Sequence, residues 1–156
     1  TMDDPEQWRN AELLMLLPGD WPLTREAFED ERHYWPVRLL KTLARLPHDF
    51  GTWLGWGHTI PNGDPPVPYA PGTELCCALV IPPFAFGEEL FWLDRSSEGK
   101  EGIHFYQVLP LTASETAYKL SHGVDALLER MEASDEPIYG PVEAGRASSK
   151  RSVVRT

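Results

Sequence analysis

The chain has 156 residues, enough for one compact domain with an ordinary apolar core and too few for two independent ones. Apolar residues make up 42% of it, and 14 basic against 24 acidic side chains leave a formal charge of -10 and a pI near 4.9. That balance repels phosphate backbones and anionic lipid, so nucleic acid and membrane are excluded as partners and a basic protein partner is expected; acidity that serves only solubility is the competing explanation.

In chain order, a polar start leads to Ala11 to Leu17 (AELLMLL), an apolar run closed by Pro18 and Gly19. It predicts a buried strand, with a helix as competitor. Thr24 is placed to cap a charged helix through about Arg32, with Glu26 near its positive end. Pro36 fits the first turn of a second helix, whose Val37, Leu40, Leu43 and Ala44 share a face until Pro47 stops it; a single kinked helix is the alternative. From Trp53 to Pro71 the chain is loop-rich, with Asn62-Gly63-Asp64 as its clearest turn.

Strands are predicted at Thr73 to Ile81, around Glu89 to Leu93, and at Ile103 to Leu109. Thr112-Ala113-Ser114-Glu115 is a capping box opening a helix to about His122, and a short helix from Val124 to Met131 follows Gly123. Beyond Pro137 the composition turns to Gly, Ser, Lys and Arg, so residues 1–136 are read as the domain and 137–156 as a flexible tail. Strand, helices, strands, helices is the order of an α+β domain centred on a sheet.

The chain lacks the common signatures of catalysis. None of the five histidines sits in HExxH, and the two cysteines lack C-x-x-C spacing, so no metal and no other cofactor is expected. G-x-S-x-G, GxxxxGK[ST] and GxGxxG are all missing. Glu88-Glu89 and Asp3-Asp4 read as solvated surface, Glu115 is accounted for by its capping role, and Glu12 is a buried or edge carboxylate unless simply exposed at a strand start.

Cys76 and Cys77 are strand neighbours expected to point to opposite faces without bridging, which predicts a reduced, intracellular protein. No apolar run reaches a membrane span and the N-terminus lacks a signal-peptide pattern, so the cytoplasm is expected. The first residue is Thr1, which implies either processing or a start inside a longer chain.

Tryptophan is the unusual component, with six in the chain. Trp21, Trp35, Trp53, Trp56 and Trp92 serve either as packing residues or as interface anchors, and Trp53 and Trp56 flank the stretch "WGHTIPNGDPPVPYAPG".

Five strings in order resemble the Suppressor of fused domain: "AELLMLLPGDWPL", "WPVRLLKTLARLPH", "GHTIPNG", "CALVIPP" and "IHFYQVLPLTASE". The resemblance covers about residues 11–131 and is nearest the bacterial, single-domain form. It implies an α+β fold with a mixed, largely antiparallel sheet flanked by helices. It also implies binding rather than catalysis: the animal protein sequesters a zinc-finger transcription factor by gripping an extended peptide between two domains, and bacterial relatives are similar to immunity proteins of polymorphic toxin systems. Gly57 and His58 match the Gly-x-His region near the animal protein's peptide groove, and Gln107 and Glu115 match the strand and the capped helix after it. The second domain of the animal protein has no counterpart in this sequence, and the N-terminal part looks short for the family, implying a fragment or an abbreviated member.

The expected function is therefore a non-enzymatic protein-binding domain, an immunity protein that neutralises a toxin, with a basic toxin domain as partner. Trp53, Trp56, Gly57, His58, Thr59, Asn62 and Asp64 are the expected partner-binding residues, on a proline-limited loop beside an edge where a strand could add. The alternatives are a regulatory scaffold for a host protein and a small hydrolase using His58 with Glu12 or Asp64.

Overall fold

The computed structural model describes residues 10–95 and 102–133. Its strands are β1 (Ala11–Leu14), β2 (Thr59–Pro61), β3 (Leu75–Ile81), β4 (Trp92–Asp94) and β5 (Gly102–Thr112); its α-helices are α1 (Glu31–Phe50), α2 (Ala113–His122) and α3 (Val124–Glu132). The five strands form one sheet in the order β1-β5-β3-β2, with β4 also paired to β5. Only β1 runs parallel to its neighbour, so the sheet is mixed and largely antiparallel, as expected.

Every residue of β3 is buried, because helices cover both faces of the sheet. A strand buried on both sides reads as a continuous apolar run rather than an alternation, and LCCALVI is such a run. On one face Trp35, Leu39 and Leu43 of α1 pack against Leu75, Ala78 and Val108. On the other, Leu127, Leu128 and Met131 of α3 meet Cys77, Leu79, Ile81, Leu109 and Leu111.

Helix α1 differs from its sequence reading. Asp30 is its N-cap, accepting the Arg32 amide at 2.9 Å, and both Pro36 and Pro47 lie inside a continuous 20-residue helix. Each proline removes one donor to the carbonyl four residues earlier, but burial of Trp35, Leu39 and Leu43 along one side outweighs two missing hydrogen bonds. The helix expected from Thr24 shrinks to a single 3₁₀ turn, Ala27–Glu29, with Thr24 Oγ1 accepting the Ala27 amide at 3.2 Å. Thr112 and Glu115 form the predicted capping box: the Thr112 amide donates to Glu115 Oε2 at 2.8 Å and the Glu115 amide to Thr112 Oγ1 at 3.3 Å.

The two cysteines also depart from simple alternation. The β3–β5 register shifts between Leu75 and Cys77, and this irregularity brings both sulfurs into the layer beneath α2 and α3, 3.9 Å apart and unbridged. Burial, then the neighbouring Cys77, pushes the Cys76 thiol up to about 11, so it stays protonated at neutral pH and is a poor nucleophile.

Candidate functional site

The loop after α1 turns at Gly51, the helix C-cap with φ +58°, and runs to β2. Gly57 adopts φ +79°, a conformation that strains any L side chain even though open space surrounds it. This turn is fixed from two sides. Its amide donates to the Val80 carbonyl at 2.8 Å, and its carbonyl accepts Lys119 Nζ from α2 at 2.6 Å. His58 then donates its amide to the Gly55 carbonyl at 3.2 Å and accepts the Val80 amide at 3.0 Å.

The turn places two tryptophans at the surface, Trp53 being 48% and Trp56 52% exposed. The Trp53 ring covers Gly55 so closely that a Cβ there would lie 2.6 Å from it, and it packs on the His58 imidazole with centroids 4.2 Å apart. Beneath them is a cavity of about 530 Å³. Trp53, Gly55 and Trp56 form one wall and Pro82, at the end of β3, another. Phe91 and Trp92 of the β4 region and His104, Phe105 and Tyr106 of β5 form the rest.

Sheet register assembles that floor. β3 and β4 lie end to end along the same side of β5, and Trp92 pairs with His104. Their rings are 4.4 Å apart, and the His104 ring stacks over Tyr106, two residues along the same strand, at 6.1 Å. Pro82 and Pro83 end β3 beside this gap and bring no amide donors to it.

The structure therefore divides the expected site. Trp53 and Trp56 line the cavity, His58 packs against the Trp53 ring, and Gly57 forms the turn between Trp56 and His58. Asn62 and Asp64 lie beyond the far end of β2, Asn62 about 14 Å from His58 at roughly 3.4 Å per residue and Asp64 in the turn that follows. Asn62 pins its own loop, donating from Nδ2 to the Val67 carbonyl at 2.8 Å, while Asp64 is exposed in the turn. Thr59 lies in β2, paired with Leu79. Because Ile60 faces Ala78 in register and the flanking amides of Gly57 and Asn62 point inward, only Thr59 and the Pro61 carbonyl face outward. Pro61 has no donor, so the β2 edge offers an added strand little to pair with.

Sequence reasoning missed Phe91, His104, Phe105 and Tyr106. The usable signal was the aromatic run at positions 104–106 of a strand, where His104 and Tyr106 must share a face. The hydrolase pairing is not assembled, since Glu12 is exposed on β1 at the opposite edge of the sheet from His58.

Partial burial, and then the Lys119 ammonium, hold the His58 imidazole below its ordinary pKa of 6.5. The unfolded chain thus binds this proton more readily than the folded one. His58 stabilises the fold fully above pH 6.5, and that contribution is lost as pH falls from 6.5 through the lower folded value. In urea unfolding between about pH 5 and 8, His58→Gln should flatten the stability profile on this acidic limb. An unchanged slope would contradict the assignment.

A helix-covered mixed sheet, with an aromatic cavity at the gap between two strand ends, defines an α+β domain. The chain belongs to the Suppressor of fused protein (SUFU) family, whose profile matches residues 1–139. A SUFU homologue from Neisseria gonorrhoeae FA 1090 superposes with a TM-score of 0.64 at 19% identity, covering 96% of this chain and 66% of that one. Drosophila Suppressor of Fused gives 0.57 at 18% identity over 76% of this chain, and the Sufu–Fu complex gives 0.58 at 18% identity over the same share. The chain spans 25% of the Drosophila protein and 45% of the Sufu chain from the complex. Comparison with curated protein sequences finds no match.

Proposed function

We propose that the chain is a non-enzymatic binding domain of the cytoplasm that acts as an immunity protein, occupying and neutralising a basic toxin domain. The observation that carries the binding reading is the aromatic cavity with two half-exposed tryptophans at its mouth. Tryptophan is the usual anchor of protein interfaces, and a proline-limited loop held by Lys119 is already ordered before a partner arrives, which lowers the entropy lost on association. A relative has been crystallised as the Sufu–Fu complex, which supports a protein as the ligand class. The toxin reading rests further on the charge of -10, which favours fast, salt-sensitive capture of a basic partner.

The test is co-expression. The product of the gene beside this one, expressed alone in the host, should arrest growth, and co-expression with this chain should relieve the arrest. The Trp56→Ala, His58→Ala double variant should relieve it poorly while melting within a few degrees of wild type. Arrest that persists with wild-type chain present would overturn the immunity reading.

A further inference from the structure

The cavity's lining restricts what can enter it. Rings of Trp53, Trp56, Phe91, Trp92, His104 and Tyr106 border the space, and among the described residues its lining includes no carboxylate, ammonium or guanidinium group. A charged group inserted there would lose its hydration and gain no counter-ion, whereas an apolar side chain would leave water for ring faces. The volume of about 530 Å³ lies within the range that encloses a drug-sized ligand, room for more than one large side chain.

The surroundings have the opposite character. Glu88 and Glu89 are exposed on the 3₁₀ turn just before Phe91, and Asp94 is exposed at the end of β4. Among the described residues Arg95 is a basic neighbour of Asp94 in the chain, and Lys119 is engaged by the Gly57 carbonyl. Phe86 and Leu93, each 51% exposed, are apolar surface positions in the same stretch of chain as these acids. Pro82 and the donor-poor β2 edge disfavour a strand added on that side of the sheet, which favours entry by insertion of side chains.

We propose that this cavity takes a pair of bulky apolar side chains, of the Leu, Phe or Trp class, projecting from a partner segment rich in Lys and Arg. The proposal rests on the protein-binding reading above and supplies its chemistry: apolar anchors fill the aromatic cavity, and flanking cations meet the acidic rim.

The test is selection from a phage-displayed library of random dodecapeptides against the full chain, followed by fluorescence polarisation with the selected peptides. The expected consensus has two bulky apolar residues flanked by Lys or Arg, with affinity that falls as salt rises. Trp53→Ala and Trp56→Ala should each weaken binding by about 30-fold or more, the scale of an interface hot spot. Leu120→Ser, on an exposed position of α2, should leave it unchanged. Should a tryptophan variant fold poorly, the Glu88→Lys, Glu89→Lys variant tests the rim alone and should weaken basic peptides at least fivefold at low salt. An acidic consensus, a consensus without the apolar pair, selected peptides indifferent to both tryptophans and to the rim, or no selected peptide at all would each overturn the proposal. Those results leave the protein-binding reading to the co-expression test, which fails independently if wild-type chain gives no relief.

Discussion

Trp35→Ala should be the most destabilising of the substitutions considered, lowering stability by about 3–5 kcal/mol. Trp35 is 1% exposed, stacks on Tyr69 with ring centroids 5.2 Å apart and planes 7° from parallel, and meets the Trp21 ring edge-on at 6.5 Å. Removing it leaves a space beside α1, and its ring partners Trp21 and Tyr69 belong to two separate segments that cannot close the gap together. For a domain of this size the loss corresponds to a fall in Tm of roughly 10–15 °C. Tyr69→Phe is the informative contrast: the Tyr69 hydroxyl is buried with no hydrogen-bond partner among the described residues, so its removal should be neutral or slightly stabilising. Calorimetry checks both, and a fall of only 2–3 °C for Trp35→Ala, on the scale of about 1 kcal/mol, would contradict the packing described.

Gly102→Ala should strike the site through the fold. A Cβ at Gly102 would overlap the Trp92 ring and lie 2.6 Å from the Leu93 carbonyl oxygen, so side chain and backbone of β4 must both move. β4 is held to β5 by three residue pairs, Trp92–His104, Leu93–Ile103 and Asp94–Gly102, and the added methyl sits at the last of them. Overpacking of this kind costs about 1–3 kcal/mol, and displacement of Trp92 removes it from His104 and breaks the cavity floor. Partner binding should therefore fall more than stability does. The Trp92→Ala, Gly102→Ala double variant should lose less stability than the two single losses combined, because the first change removes most of the overlap. Additive losses in urea unfolding would show that the two positions do not meet.

Parts of the architecture that depend on neighbours in sequence were legible from it. The Thr112–Glu115 capping box needs only four consecutive residues, and the helix it opens ends at His122, where the reading placed its end. β3 was visible because burial on both faces demands an unbroken apolar run. The prolines of α1 misled, since the cost of each is local whereas the burial of Trp35, Leu39 and Leu43 that offsets it depends on a sheet formed later in the chain. β2 was hidden for a related reason: three residues ending in proline carry no strand pattern of their own and are extended because β3 pairs with them.

The candidate site was half legible. Trp53, Trp56, Gly57 and His58 could be found because a loop punctuated by glycine and carrying two tryptophans stands out in one short string. Asn62 fell in the same string, yet its side chain is taken up in holding the loop to Val67. Trp92, His104 and Tyr106 join the site only through the β4–β5 register and the placement of both strands beneath the loop that leaves α1. Such an aromatic cluster is assembled by long-range pairing, and a linear pattern records only its pieces.

The proposed binding face is the one that bears Trp53 and Trp56. Its most direct measurement is affinity capture from native host extract with wild-type chain and the Trp53→Ala, Trp56→Ala variant as parallel baits, after both are shown to be folded. A protein retained in stoichiometric amount by wild type, released by moderate salt and missing from the variant, is the predicted result. The same protein retained equally by both baits would place binding elsewhere on the molecule, and an empty wild-type bait from cells expressing candidate partners would contradict the binding function itself.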